Sequence, residues 1–289
     1  MSLRIGTRGS ALALAQAGAV ADLLGGGELV EIATAGDRGA SGGDKSRWVA
    51  ELERALLDGE VDVAVHSAKD VPGELADGLV IAAVPARADA RDALVGFDSL
   101  DAVPPGARVG TSSLRRAAQL RAARDDLDVV AMRGNVDTRL GKLAEGEWDA
   151  IVLALAGLER LGRVEADGRS LSVRLAEGRE SAACVLDPDA FVPAPGQGAL
   201  AVEARAGEAA EVAGIDDAVA HARLRAERAL TAALDATCHT PVGAHAEPAG
   251  AGLALTAFAG LPDGSAWVRD RREGADPEAL GREVAERML

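Results

Sequence analysis

Residues 3–24, LRIGTRGSALALAQAGAVADLL, combine a short strand pattern with a helix pattern that follows it at once. Leu3–Gly6 is predicted as a strand, and Ser10 as the N-cap of an Ala/Leu helix that ends near Leu24. The alternation then continues with a strand, a helix and a strand at 29–34, 48–57 and 61–66. A βαβαβ unit of this kind predicts an α/β fold whose sheets are mostly parallel and covered on both faces.

A second run of alternating strands and helices follows, and a different pattern closes the chain. Strands are predicted at 79–84, 108–110, 129–132 and 150–155, and helices at 114–124 and 136–143. After a helix at 218–234, strands are predicted at 253–259 and 266–271, with a closing helix from Asp276. This last pattern indicates a small C-terminal α+β domain.

Two segments separate these parts of the chain. Phe191–Ala199, FVPAPGQGA, has the proline and glycine density of a crossover or hinge, and Pro85–Ala90 is the other candidate hinge. The predicted domains are residues 1–86 with 197–214, residues 90–192, and residues 218–289. We therefore expect two α/β domains and a small α+β domain, with movement about the two hinges as a hypothesis.

The composition excludes several classes of function. The chain has 289 residues and a formal net charge of −15, which argues against binding to nucleic acid or to an anionic membrane. No apolar run approaches the roughly 20 residues of a membrane-spanning helix, so we expect a cytoplasmic protein. The 31 basic residues include three lysines, a bias typical of a halophile or a GC-rich genome. Basic residues that cluster in such an acidic chain are expected to have an anionic target.

The two cysteines, Cys184 and Cys238, lie far apart and outside any CxxC or Cys/His spacing. Neither a disulfide framework nor a metal site is therefore predicted. Cys184 lies in the apolar stretch AACVL and is interpreted as a small packed side chain. Cys238 lies in ATCHTPVG, a turn-rich segment in which we expect an exposed thiol, so it is the better candidate nucleophile.

Basic and hydroxyl side chains follow several predicted strands at the point where each strand ends. They are Arg8 with Ser10, Ser113 with Arg115 and Arg116, Arg133 with Arg139, and Arg160. Ligands gather at the carboxyl ends of parallel strands, and helix N-termini there favour anions. The planar fork of arginine matches both oxygens of a carboxylate. The sequence therefore predicts a cleft that binds a ligand with many carboxylates, although any single arginine could equally be a surface residue.

The stretch VHSAKDVP, residues 65–72, delivers Lys69 and Asp70 into a turn beside the same predicted cleft. Pro72 stiffens that turn and favours an extended conformation at the preceding residue. An acid among arginines is held ionised, so Asp70 is a candidate to stabilise a cationic intermediate or to move a proton. Taken alone, the pattern fits a structural Lys-Asp pair equally well.

Several motifs occur in one order along nearly the whole chain. They are RIGTRGSALAL at 4–14, VHSAKDVP at 65–72, GTSSLRR at 110–116, RGNVDTRL at 133–140, LAGLERL at 155–161, PGQGA at 195–199, and Cys238. Together they resemble the porphobilinogen deaminase (hydroxymethylbilane synthase) family. The resemblance implies two domains like those of periplasmic binding proteins around a cleft, and a third domain that presents a cysteine.

The resemblance also implies a mechanism. Cys238 would carry a dipyrromethane cofactor through a thioether, and Asp70 would be the acid/base residue. Four porphobilinogen molecules would be joined to give hydroxymethylbilane, with four ammonia released. The acetate and propionate groups would be held by Arg8, Ser10, Lys45, Lys69, Ser113, Arg115, Arg116, Arg133, Arg139 and Arg160. A monomer that hands its product to uroporphyrinogen-III synthase is also implied.

Three parts of the sequence depart from the family pattern. Two other functions also remain open from the sequence. The loop 35–47 has Ser41 where the family has a lysine, Trp48 replaces a phenylalanine, and residues 236–238 read Ala-Thr-Cys instead of Gly-Gly-Cys. One alternative is a non-catalytic binding module with the same two-domain cleft. The other is an acyl or phosphoryl transferase with Cys238 as nucleophile, but no GxxxxGK[ST] motif is present.

Overall fold

The computed structural model describes residues 2–34, 49–166, 171–237 and 240–289. Its strands, in chain order, are β1 (Arg4–Thr7), β2 (Glu28–Glu31), β3 (Val63–Ser67), β4 (Leu79–Ala83), β5 (Asp92–Val95), β6 (Arg108–Thr111), β7 (Asp128–Ala131), β8 (Ala150–Ala154), β9 (Val164–Ala166), β10 (Leu171–Arg174), β11 (Glu180–Val185), β12 (Leu200–Arg205), β13 (Val242–Ala249), β14 (Gly252–Gly260) and β15 (Trp267–Gly274). The α-helices are α1 (Ala11–Leu23), α2 (Ala50–Leu57), α3 (Leu114–Ala123), α4 (Val136–Ala144), α5 (Leu155–Arg160), α6 (Ala218–Ala233) and α7 (Pro277–Met288). Shorter 3₁₀ helices cover Ala68–Asp70, Ala176–Gly178 and Ala206–Ile215.

Three sheets form the framework of the molecule. The first has the strand order β2-β1-β3-β12-β4, the second β7-β6-β8-β5-β11-β10-β9, and the third β13-β14-β15. In the C-terminal part, Leu230 of α6 and Val284 of α7 pack with Leu255 of β14 in one buried cluster. The predicted class, two α/β domains with a small C-terminal α+β domain, is confirmed. Within the described ranges, no helix has the length and apolar character needed to cross a membrane.

The prediction of mostly parallel sheets is wrong. In the first sheet β1 pairs in parallel with β2 and β3, but β12 runs antiparallel to both β3 and β4. Among the described strands of the second sheet, the pairs β6-β7 and β6-β8 are parallel and the other four pairs are antiparallel. A helical crossover returns the chain to the same end of a sheet and makes parallel pairs. Strands β5 and β12 instead enter directly from the other domain.

The strands that the sequence analysis missed lie around these crossings and in the C-terminal domain. They are β5, β9, β10, β11, β12 and β13. Strand β12 is buried along almost its whole length, so it lacks the alternation by which a half-exposed strand is recognised. Cys184 of β11 is half-buried against the core of the second domain, in agreement with its interpretation as a packed side chain.

Local signals in the sequence place several elements correctly. The Ser10 hydroxyl accepts a hydrogen bond from the Ala13 amide at 3.3 Å and so caps α1, as predicted. Strand β3 is buried along most of its length, and Val63 and Val65 pack in the cluster that contains Val20 of α1. The end of β3 is thereby fixed relative to the start of α1. Both ends face the cleft described below.

The two segments that join the α/β domains are hydrogen-bonded to each other. The Ala88 amide donates to the Gly198 carbonyl at 3.2 Å, and Arg87 Nε donates to the Gln197 carbonyl at 2.9 Å. The third domain is fastened to the same place. Glu227 of α6 is fully buried, pairs with Arg87 at 2.7 Å and accepts a hydrogen bond from the Gly196 amide at 2.7 Å. Both candidate hinges and α6 therefore meet at one buried ion pair.

Candidate active site

A cleft lies between the first two sheets, where the ends of β1 and β3 face α4, α5 and the end of β8. Its polar and charged lining residues are Arg8, Ser10, Gln16, His66, Ser67, Lys69, Asp70, Arg116, Arg139 and Arg160. Leu12 and Gly157 line it from opposite domains. The structure thus brings together seven of the predicted site residues: Arg8, Ser10, Lys69, Asp70, Arg116, Arg139 and Arg160.

The turn after β3 presents Lys69 and Asp70 to the cleft. A 3₁₀ helix covers Ala68–Asp70, and Val71 is extended at φ −73° and ψ 129°, as expected for a residue before proline. The Ala68 amide donates to the carbonyl of Ala199, the residue before β12, at 3.0 Å, and this hydrogen bond holds the turn in place. Gly196 packs directly on this turn at φ +74°, and a Cβ there would lie 2.9 Å from the Lys69 amide nitrogen.

Lys69 lies in a strongly positive part of the cleft. Burial, and after it the charge of Arg116, lowers the pKa of Lys69 to about 8. Asp70 and Asp92 oppose this shift. The Lys69 ammonium group donates a hydrogen bond to the Gln197 side-chain oxygen at 3.4 Å.

Two arginines of the second domain face Lys69 across the cleft. Arg139 of α4 donates from Nε to the Gly134 carbonyl at 2.8 Å, and burial lowers its pKa to about 10, with a further contribution from Arg116. Arg160 of α5 donates from Nη2 to the Gly198 carbonyl at 2.8 Å, and burial lowers its pKa too. Desolvated cations whose hydrogen bonds go to carbonyl oxygens are placed to bind anions.

The adjacent arginines 115 and 116 have different surroundings. Arg116 donates from Nη2 to Asp92 Oδ1 at 2.7 Å and from Nη1 to the Val152 carbonyl at 3.0 Å, while it also lines the cleft. Arg115 pairs with the other oxygen of Asp92 at 2.8 Å and donates to the Val192 carbonyl at 2.7 Å. Arg115 is buried and is not among the residues that line the cleft, in contrast to its grouping with the ligands from sequence.

Asp92 is a fully buried carboxylate at the start of β5. Burial alone would raise the pKa of Asp92, but the charges of Arg115 and Arg116 hold this pKa well below its usual range. The same carboxylate accepts a hydrogen bond from the Gln197 side-chain amide at 2.8 Å. A strand that was not recognised from sequence therefore supplies the anchor for both arginines.

Of the four remaining predicted site residues, two lie outside the cleft lining and two are not described by the structure. Ser113 caps α3, because its hydroxyl accepts a hydrogen bond from the Arg116 amide at 3.4 Å, and it does not line the cleft. Arg133 is exposed and also lies outside the cleft lining. Lys45 and Cys238, like Trp48 and the rest of the loop 35–47, lie outside the described residues.

Five polar residues in or near the cleft were missed as site residues: Gln16, His66, Ser67, Gln197 and Glu203. Gln197 is fully buried behind Lys69. Its position in the PGQGA motif could have identified it as a site residue from the sequence. His66 lines the cleft, and its Nε2 lies 2.9 Å from Glu203 Oε2, although these residues are 137 positions apart in sequence. Register explains the pairing, since Ala201 of β12 lies opposite His66 and Glu203 lies opposite Ala64.

Comparison with known proteins identifies the family of the chain. The family model "Porphobilinogen deaminase, dipyromethane cofactor binding domain" matches residues 3–213, and "Porphobilinogen deaminase, C-terminal domain" matches residues 221–289. Porphobilinogen deaminase of Roseiflexus castenholzii is 46% identical over 306 aligned positions, which cover 100% of this chain and 96% of the relative. Porphobilinogen deaminase of Brevibacillus brevis is 43% identical, with 99% and 93% covered.

A weaker likeness concerns structure alone. A solved periplasmic solute-binding protein of Pseudomonas aeruginosa, with bound L-malate, has a TM-score of 0.39 and 11% identity, covering 79% of this chain and 87% of that one. The sequence relatives are far more similar and extend over the full chain. The chain therefore belongs to the porphobilinogen deaminase family of transferases, which condense porphobilinogen stepwise on a dipyrromethane primer to give hydroxymethylbilane and ammonia.

Proposed function

We propose that the cleft between the first two sheets is the active site and that Asp70 is its acid/base residue. The charge of the cleft carries this proposal: among the lining residues within the described part of the chain, Asp70 is the one carboxylate, and arginines and a lysine surround it. Loss of ammonia from a pyrrole leaves positive charge on the ring. A carboxylate fixed beside that ring stabilises the charge and accepts the proton that is released when the next ring attacks.

The cleft cations hold the carboxylates of the ligands. We assign this role to Arg8, Ser10, Lys69, Arg116, Arg139 and Arg160, which the cleft brings together. Lys45 and Arg133 remain predicted ligands. Ser113 and Arg115 have structural partners, so in this proposal they support Arg116 from behind. Several cations on both walls fit a substrate with more than one carboxylate and orient it before reaction.

The same cations fit the dipyrromethane group that the family binds. The donor set supports this fit, because the desolvated Lys69, Arg139 and Arg160 all have lowered pKa values and would each be stabilised by an anion. When bound, the cofactor supplies the terminal pyrrole to which the first substrate unit is joined. We propose that Cys238 holds it through a thioether and that the cleft cations hold its acetate and propionate groups.

Mass spectrometry of the intact protein tests the attachment site. We expect the purified chain to carry an adduct of two linked pyrrole units, located by peptide mapping on the peptide that contains Cys238. The Cys238→Ser variant is expected to lack the adduct. The matched control is Cys184→Ser, because Cys184 is the other cysteine of the chain and packs on the second-domain core.

Two results would contradict the proposal. One is an adduct that survives in Cys238→Ser but disappears in Cys184→Ser. The other is an unmodified wild-type chain that incubation with porphobilinogen fails to convert. An apo preparation that gains the adduct on incubation supports the proposal, since the primer is then assembled from the substrate.

Membership of an enzyme family decides against the two alternatives that the sequence left open. A non-catalytic binding module would have no need of a carboxylate such as Asp70 among the cations of the cleft. An acyl or phosphoryl transferase with Cys238 as nucleophile disagrees with the family models, which match both parts of the chain.

We also propose that residues 1–86 with 197–214, residues 90–192 and residues 218–289 are the units that move during chain elongation. Sheet membership supports these boundaries, because each unit contains the strands of one sheet. Identical scattering profiles for the primed enzyme and its multi-substrate intermediates would exclude large movements.

We further propose that the chain is a cytoplasmic monomer that passes hydroxymethylbilane to uroporphyrinogen-III synthase. The family resemblance supports this proposal. Sedimentation of the chain with and without that synthase tests both the monomer and the hand-off.

A further inference from the structure

We propose that Gln197 is a positioning residue that couples two cations of the cleft, Lys69 of the first domain and Arg116 of the second. The inference deepens the proposed function, because both cations line the proposed active site. Gln197 lies on the returning hinge segment, so it stands between the two domains. Its side chain sets the separation of the two cations and keeps Lys69 in its charged form.

The hydrogen bonds of the Gln197 amide are divided by chemical type. Its Oε1 accepts from Lys69 Nζ and from Arg116 Nη2, each at 3.4 Å. Its Nε2 donates to Asp92 Oδ1 at 2.8 Å and to the Ala90 carbonyl at 2.7 Å. A flipped amide would point its N–H groups at two cations and its oxygen at two acceptors. The surroundings therefore fix the orientation of this side chain.

The backbone around Gln197 is fixed as well. The Gln197 carbonyl accepts from Arg87 Nε at 2.9 Å. Gly198, at φ +84°, approaches the other hinge segment so closely that a Cβ would lie 2.5 Å from the Ala88 carbonyl oxygen. The side chain of Gln197 is also fully buried. It therefore has no room to adjust independently of the two hinge segments, which makes it suited to transmit their position to the cleft.

A neutral acceptor between two cations has a definite electrostatic effect. Lys69 and Arg116 repel each other, and this repulsion contributes to the lowered pKa of Lys69. A hydrogen bond from an ammonium group stabilises the charged form, because an acceptor interacts with it more strongly than with a neutral amine. Removal of the Gln197 oxygen should therefore lower the pKa of Lys69 further. A carboxylate in the same place should raise it.

The test measures the pKa of Lys69 directly, by NMR of the full-length, ¹⁵N-lysine-labelled protein as purified. The chain has three lysines, Lys45, Lys69 and Lys142, so assignment needs only single Lys→Arg variants. We expect Gln197→Met to lower the pKa of Lys69 by about one, which is a tenfold weaker proton affinity. Gln197→Glu is expected to raise it by at least as much.

Gln119→Met is the matched control. Gln119 is also a buried glutamine beside the arginine pair, but it donates to the Val192 carbonyl at 3.0 Å and accepts from the Val192 amide at 2.7 Å, and it does not line the cleft. Loss of its hydrogen bonds disturbs packing of the same region without removing an acceptor from Lys69. We therefore expect the pKa of Lys69 in this variant to equal that of the wild type.

Three outcomes would overturn the proposal. They are an unchanged pKa of Lys69 in folded Gln197→Met, equal shifts in Gln197→Met and Gln119→Met, and a lowered pKa in Gln197→Glu. If Gln197→Met fails to fold, Gln197→Glu still tests the proposal, because glutamate keeps the shape and the acceptor oxygen of glutamine. The NMR measurement does not depend on turnover. An unchanged pKa of Lys69 would therefore overturn the role of Gln197 without contradicting the Cys238 adduct. An absent adduct would contradict the attachment site without changing the NMR result.

Discussion

Buried and half-buried arginines of the chain have two different surroundings, and the comparison separates structural cations from cations that bind ligands. At the hinge, Arg87 is fully buried and pairs at 2.7 Å with the equally buried Glu227. In the cleft, Arg139 and Arg160 are desolvated too, but their hydrogen bonds go to carbonyl oxygens. Burial lowers the pKa of both cleft arginines, whereas a buried partner carboxylate compensates the charge of Arg87.

The difference teaches that the role of a buried cation depends on all its contacts, including access to the cleft, and not on its place in a motif. Arg115 and Arg116 are neighbours in GTSSLRR, and both bind Asp92, yet only Arg116 also reaches the cleft. Positive charge left uncompensated by protein carboxylates is what a polyanionic ligand neutralises. The hinge pair is already neutral as a unit. The two regions should therefore respond to mutation in different ways.

Loss of Asp70, the one carboxylate among the described lining residues of the cleft, should have the largest effect. We expect Asp70→Ala to keep the primer attached and to lower kcat by at least about 10³-fold, because general acid–base and charge stabilisation are both removed. Turnover assays together with intact mass measure the two quantities separately. The control is Asp62→Ala, since Asp62 pairs with Arg4 at 2.6 Å outside the cleft. Substantial turnover by Asp70→Ala would remove Asp70 from the mechanism.

At the hinge, we expect a loss of stability. Arg87→Met leaves the Glu227 carboxylate buried without its cation, so the free energy of unfolding should fall by about 3–5 kcal/mol. Denaturant unfolding checks this value, with Arg271→Met as the control, because Arg271 and Glu273 form an exposed pair whose loss should cost under about 1 kcal/mol. The double variant Arg87→Met/Glu227→Met should recover part of the loss. A double variant with the sum of both single losses would contradict the ion-pair account.

The sequence predicted much of the fold and the chemical character of the cleft, but it did not separate ligands from supports. Strand–helix alternation and the N-cap at Ser10 were readable because both are local signals. The antiparallel direction of β12 could not be predicted from the sequence, because it depends on where the chain re-enters the first domain. The pairing of Asp92 with Arg115 joins residues 23 positions apart across two elements. Contacts of this kind are set by tertiary packing, which no local pattern encodes.

Removal of a cleft arginine should weaken binding without loss of stability. For Arg139→Gln we expect KM for porphobilinogen to rise about tenfold, the loss of one charge-assisted contact. The free energy of unfolding should stay equal or increase, because a desolvated charge is removed. Steady-state kinetics and denaturant unfolding of the same preparation check both expectations. A destabilised Arg139→Gln with unchanged KM would place Arg139 among the structural cations and erase the contrast with Arg87.

The smallest expected effect is a pH dependence of binding that comes from Lys69. Its pKa of about 8 is lowered from 10.5, mainly by burial, so the group loses its charge as the pH rises through about 8. The folded state then binds fewer protons than the unfolded chain between these two values, so this group makes stability rise with pH in that window. Carboxylate binding changes in the opposite direction, because the neutral amine no longer attracts an anion.

We therefore expect KM for porphobilinogen to rise a few-fold between about pH 7 and pH 9, with a midpoint near the pKa of Lys69. Lys69→Arg should flatten this rise, since a guanidinium group stays charged over the whole range. Lys142→Arg is the control, because Lys142 pairs with Glu147 at 3.4 Å on the surface and should leave the profile unchanged. If the rise persists in Lys69→Arg, another group of the cleft titrates, and the lowered pKa of Lys69 has no part in binding. If it disappears, the buried ammonium group of Lys69, with its lowered pKa, is what makes binding depend on pH.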